Sequence, residues 1–153
     1  MPQYAPLLKV AAIAASLTVA AGSTAATAQT ATATEVTVAA NQAWQTVHPS
    51  VEGGCTLQYQ YGAWTTNPRV GLFHADGNKS HIAKPGYPLP GAPEGMLVAQ
   101  VGSTVLGAGL ATVIPAGVSG PLALMINDDY RGIYGTGLAD NIGSVTISIT
   151  CPR

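Results

Sequence analysis

Residues 122–149 read LALMINDDYRGIYGTGLADNIGSVTISI, and the fold is decided here. An apolar run of strand type, 122–126, ends in Asn127, Asp128 and Asp129. A loop carrying Gly132, Gly135 and Gly137 follows, and Asp140, Asn141 and Gly143 then lead into a second, alternating run. Of the seven acidic residues in the chain, three fall in this loop or at its edge, so the acidity is concentrated rather than spread. Oxygens gathered where two strands end suit a hard cation. Calcium takes about six to eight oxygens at roughly 2.3–2.6 Å, from carboxylates, amide carbonyls and backbone carbonyls. Two carboxylates would match its charge, and glycines let the backbone turn its carbonyls inward. By composition alone the same residues also favour a hairpin loop that holds no ion.

Outward from this stretch the chain is a series of short strands. Residues 35–38 and 44–48 read as strands and 49–54 as a turn. Residues 55–61, CTLQYQY, alternate with period two, as a half-buried strand should. The segment 64–95 is rich in Gly, Pro and Asn and reads as one long ordered loop, with Asp76-Gly77-Asn78 a turn inside it; loops of that length usually carry function. Strands resume at 96–101, 112–114, 122–126 and 144–150. Many short strands, turn signals between them and no helical pattern predict an all-β chain, an antiparallel β-sandwich of jelly-roll type with its ligand loops at one end.

The first residues read differently. Residues 1–9 carry one positive charge, 10–22 are a short apolar core, and Ala26-Thr27-Ala28 is a small-residue cleavage signal. This is the layout of a secretory signal peptide, 1–28, removed before Gln29, leaving one domain over 29–153 that is secreted or periplasmic. The apolar core is too short for a bilayer, which takes about 20 residues, and no later segment serves, so no membrane span is expected. Loss of Lys9 leaves five basic and seven acidic residues, a net charge of −2. Without a basic patch the chain is not built for nucleic acid. Cys55 and Cys151 form an even pair in an oxidising compartment, which favours a disulfide tying an early strand to the last one. Neither has a second ligand at the close spacing zinc requires.

These features together resemble the calcium-dependent galactophilic bacterial lectins (LecA-like, PA-I-type) and the related galactose-binding-like β-sandwich modules. The resemblance runs through VTVAANQAW (36–44), YGAWTTNP (61–68), GAPEGMLVAQVG (91–102) and GPLALMINDD…ADNIGS (120–144), and the last is its most specific part. It implies Ca²⁺ as cofactor, with Asp128 touching both the ion and the sugar, Asp140 and Asn141 as adjacent side-chain ligands, and the carbonyls of Ile133 and Asn67 as backbone ligands. Two vicinal hydroxyls of a hexose would complete the shell. The family's sugar-contacting histidine corresponds best to His81, with His74 second. The loop from Asp128 to Asp140 is about five residues longer than in the short lectins of the family. Those lectins assemble as tetramers through strand edges and termini, so an oligomer is open to this chain also, although a disulfide and Pro152 blunt that edge.

Tyr130 and Tyr134 lie in the ligand loop, where an exposed ring would pack on the apolar face of a hexose. Trp44 and Trp64 lie in or beside strands and read as core. Asp129 is expected to point to solvent. Asp128 and Asp140 are formally a glycosidase pair, but carboxylates that share a calcium have lowered pKa values and donate protons poorly, so no enzyme is expected. The resulting expectation is a secreted calcium-dependent carbohydrate-binding protein with galactosides as first ligands. Its alternative is a non-catalytic structural or accessory module whose calcium only stabilises the loop.

Overall fold

A computed structural model of the chain describes residues 31–152. The signal-peptide reading of 1–28 lies outside these residues. The described residues form nine strands: β1 (Ala33–Ala39), β2 (Gln45–Glu52), β3 (Thr56–Thr65), β4 (Asp76–Ile82), β5 (Pro93–Val101), β6 (Thr104–Gly107), β7 (Ala111–Val113), β8 (Ser119–Ile126) and β9 (Ile142–Thr150). One sheet has the order β1-β9-β3-β7. The other runs β2-β8-β5-β4, with β6 also paired to β5, and every pairing is antiparallel. The chain changes sheet at each connection except β4–β5 and β5–β6. That winding is the expected jelly-roll sandwich.

Period-two patterning builds the interior. In β9, Val145, Ile147 and Ile149 are buried and Ser148 is only half covered; in β3, Leu57 is buried between exposed Thr56 and Gln58. From the other sheet Leu97, Ala99, Leu122, Leu124 and Ile126 meet them in one core. Trp64 is the largest side chain in it, fully buried, and its indole N–H donates to the carbonyl of Gly95 at 2.8 Å. The core reading of Trp64 therefore holds, whereas Trp44 is half-buried just before β2 and outside the cluster. Cys55 and Cys151 are disulfide-bonded across 96 positions, joining the start of β3 to the end of β9.

Three sequence expectations are corrected. The supposed turn over 49–54 is mostly strand: β2 continues to Glu52 because bulges between Thr46, His48 and Val51 absorb Pro49, and the turn closes only where the Cys55 N–H meets the Glu52 carbonyl at 3.1 Å. The segment 64–95 is not one loop, since it contains β4. The turn assigned to Asp76-Gly77-Asn78 sits slightly earlier, closed by the Gly77 N–H on the His74 carbonyl at 3.0 Å, and β4 starts within it. Gly77 has φ +72°, and a Cβ there would collide with the backbone of Met96 across the pairing, so only glycine fits.

Replacing both Cys55 and Cys151 by serine should leave the fold intact but lower the melting temperature by on the order of 10–20 °C, because closing so long a loop contributes about 4–5 kcal/mol on the chain-entropy model. Scanning calorimetry with and without reductant checks this. Equal melting temperatures would show that the bond does not constrain the unfolded chain.

Candidate functional site

Register brings the informative loops to one end of the sandwich. β8 ends at Ile126, opposite Leu97 of β5, and β9 begins at Ile142, opposite Thr65 at the end of β3. The loops 66–75, 83–92 and 127–141 therefore crowd together. Gly143 secures the β3–β9 end of this arrangement: its φ is +92°, and a Cβ would strike the Ala63 carbonyl.

Asn127 staples the loops. It is fully buried, its amide donates to the carbonyls of Leu89 (2.9 Å) and Pro93 (3.1 Å), and its Oδ1 accepts the Leu89 N–H at 3.0 Å. The next residue turns into a cavity of about 340 Å³, a size suited to a small ligand. Of the residues singled out by sequence, Asn67, His81, Asp128, Tyr134 and Asp140 line this cavity together. Thr66, Ile82, Lys84, Tyr87, Asp129 and Glu94 complete much of the wall.

Two buried oxygens stand out. Asp128 is 4% exposed; its Oδ1 accepts the Asp129 N–H at 2.7 Å, and its Oδ2 has no hydrogen-bond partner. Asn141 is 3% exposed; its amide donates to the Ala40 carbonyl at 3.2 Å, which leaves its Oδ1 buried and without a partner. An unsatisfied buried polar atom costs about 1–3 kcal/mol, and more when charged. Burial pushes the Asp128 carboxyl up to about 6, with the carboxylates of Glu94 and Asp140 adding to the effect while the Asp129 N–H and the nearby Asn141 amide oppose it. Asp140 lies at the end of a 3-10 turn, Gly137–Asp140, where its Oδ1 accepts the Thr136 hydroxyl at 2.6 Å.

Among the described residues no group of three or more His, Cys, Asp or Glu side chains is disposed around a common metal position. A cation here would depend on two carboxylates supplemented by amide and backbone oxygens, a donor set suited to calcium and not to zinc. The unpaired Asp128 Oδ2 and Asn141 Oδ1 fit that demand. The Asn67 carbonyl already accepts from the Thr65 hydroxyl (2.5 Å) and the Val70 N–H (3.0 Å).

The remaining assignments separate. Ile133 is exposed and does not line the cavity, and Tyr130 is half-buried outside it, under the Arg131 guanidinium at 5.1 Å. Tyr134 does form part of the wall. Its hydroxyl donates to the Pro85 carbonyl at 2.9 Å, its ring lies 6.0 Å from that of Tyr87, and the Lys84 ammonium sits 4.8 Å over it. The longer loop is thus clamped onto 84–87. His81 reaches the cavity with Nδ1 held 2.7 Å from the Asn78 amide; His74 instead bonds Tyr59 and is not in the wall. Asp129 is corrected outright. It is 4% exposed, and its carboxylate accepts the N–H groups of Ile133 (2.8 Å) and Tyr134 (2.6 Å), so it folds the loop. Sequence reasoning also passed over Tyr87 and Glu94. Tyr87 is buried, and burial followed by the charges of Glu94, Asp128 and Asp129 raises its phenol further above its ordinary range, so it stays protonated.

No family model matches the chain, and no curated protein matches it. Among solved structures the fold is similar to one described as the EclA N-terminal domain, a PllA-like lectin, with TM-score 0.53 and 18% identity over 76% of this chain and 93% of that one. At that identity the likeness is one of fold.

Proposed function

We propose that this chain is a secreted or periplasmic carbohydrate-binding protein of lectin type whose sugar site is completed by calcium. One observation carries the reading: Asp128 lines a small-ligand cavity with its Oδ2 buried and without a partner, and Asn141, next to the cavity-lining Asp140, has a second such oxygen, on a fold shared with a lectin domain. Asp128, Asp140, Asn141 and the backbone carbonyl of Asn67 would hold the ion; Ile133, exposed and outside the cavity wall, is not kept in this set. When bound, calcium supplies open coordination positions for a pair of vicinal sugar hydroxyls. Asp128 accepts from one of those hydroxyls, His81 and Tyr134 flank the ring, and galactosides are the first ligands to try. The site is non-catalytic in this reading.

The alternative, a structural module with loop-stabilising calcium only, would need the long loop to close over the ion. Clamping by Tyr134 instead draws that loop aside to the cavity wall, against Pro85 and Tyr87. This favours an accessible ion.

Calcium should raise the melting temperature by mass action, and Asp128→Asn and Asp140→Asn should each remove that protection, since calcium-site affinity follows ligand charge. Asp128→Asn should also abolish calcium-dependent capture on a glycan array. Identical wild-type melting curves in calcium and in chelator would reject the metal site, and sugar capture that survives chelation would reject its role.

Asp129→Ala should act by another route. Losing two charge-assisted bonds to backbone N–H groups frees the loop, lowering stability by about 2–4 kcal/mol and weakening calcium protection indirectly. Hydrogen exchange at Ile133 and Tyr134 reports this: both amides should lose protection, and unchanged exchange would contradict the role.

The pH dependence has a definite sign. With the ion absent, Asp128 has a folded-state pKa near 6 against an ordinary 3.8, so its contribution to stability is complete below about pH 4 and is lost as pH rises through 6. Roughly 3 kcal/mol is at stake. In chelator, Asp128→Asn should therefore flatten the change in melting temperature between pH 4.5 and 7.5. A wild type and variant with parallel pH profiles would contradict it.

A further inference from the structure

The cavity holds a carboxylate that neither calcium ligation nor the resemblance assigns. Glu94 lies near the start of β5, paired in register with Asn78 of β4, and its side chain lines the cavity beside Asp128. It is half-buried, and among the described residues no hydrogen bond or ion pair engages its carboxylate. The one lysine in the wall, Lys84, is occupied elsewhere, with its ammonium over the Tyr134 ring. Asp128, Asp129, Asp140 and Glu94 bring four negative charges to the wall, and Lys84 brings one positive charge. A divalent cation held as proposed above would leave one negative charge uncompensated, and it would fall to Glu94, since Asp128 and Asp140 are the proposed ligands and the Asp129 carboxylate already accepts two backbone N–H groups. Separately, Asp128 lines this cavity while 4% exposed, and its Oδ2 has no hydrogen-bond partner, so a polar or charged ligand would satisfy it.

We propose that Glu94 is a specificity residue that selects amino sugars, hexosides with a free amine on a carbon flanking the calcium-bound diol. The inference rests on the calcium-dependent sugar site proposed above. An ammonium reaching Glu94 forms a charge-assisted hydrogen bond in a partly desolvated wall, while the vicinal hydroxyls remain on the ion. A neutral hexose leaves the carboxylate without a charge partner. An N-acetylated sugar keeps an N–H donor but loses the charge and adds bulk.

The test is calorimetric titration of the calcium-loaded full chain with methyl galactoside, its 2-amino-2-deoxy analogue and the N-acetyl form of that analogue at pH 7. The free amine should bind about tenfold more tightly than the neutral parent. That ratio should fall towards one in Glu94→Gln, and in the wild type it should shrink between 50 mM and 500 mM salt, as a partly screened charge pair requires. Equal binding of amine and parent, or a preference that Glu94→Gln leaves intact, overturns the role of Glu94 while leaving the lectin reading standing. Failure of all three sugars to bind overturns both. Wild-type salt dependence keeps the test decisive if the variant folds poorly: a preference independent of salt also overturns it.

Discussion

A buried carboxylate oxygen with nothing to bond is the constraint around which this end of the sandwich is organised. Asp128 sits where β8 leaves the sheet, held by the fixed direction of the strand and by the Asp129 N–H on one of its two oxygens. The other oxygen faces a cavity, and the amide oxygen of Asn141 is left unsatisfied in the same way. Leaving such atoms bare is unfavourable, and burial raises the affinity of Asp128 for a proton to relieve the charge. In the proposed site a divalent cation would relieve it better, because it would satisfy both oxygens and offset the charge of the neighbouring Asp140.

The rest of the architecture keeps that arrangement from collapsing. Pairing of β9 with β3 fixes where Asn141 emerges, and the core between the sheets, with Trp64 bonded to Gly95, fixes the distance between the two halves of the site. Asn127 ties the 83–92 loop to the strand end through two hydrogen bonds with Leu89, and a third reaches Pro93 at the start of β5. Asp129 folds the long loop onto itself, and Tyr134 pins it against Pro85. The polar atoms around the cavity are therefore positioned in advance, which lowers the ordering needed when a ligand arrives.

Much of this was legible in the sequence. The alternation of 55–61 and 144–150, the Asn-Asp strand end and the Asp-Asn-x-Gly-Ser start were enough to place three strands and the loop between the last two, because strand direction and side-chain alternation are local rules. The disulfide was expected from the cysteine number and the oxidising compartment that the N-terminal sequence suggests. What escaped depended on contacts between distant segments. β4 was hidden because its sequence, DGNKSHI, has no apolar alternation and pairs only through its backbone with β5. Asp129 looked like a solvent-facing neighbour of Asp128, since the alternation that puts one residue in points the next one out. The chain leaves the strand at that point, however, and the carboxylate turns to cap the loop. Glu94 and Tyr87 carried no motif: Tyr87 reaches the cavity with the 83–92 loop, which Asn127 ties to the end of β8, and Glu94 reaches it from the start of β5.

The central claim, that the buried oxygens Asp128 Oδ2 and Asn141 Oδ1 belong to a cation site, is tested most directly by a crystal structure grown in calcium chloride with anomalous data collected. The account predicts one calcium per chain in contact with Asp128 Oδ2 and Asn141 Oδ1. Density showing those two oxygens satisfied by water alone, or by a flipped Asn141 amide donating to Asp128, with no ion between them, would contradict it.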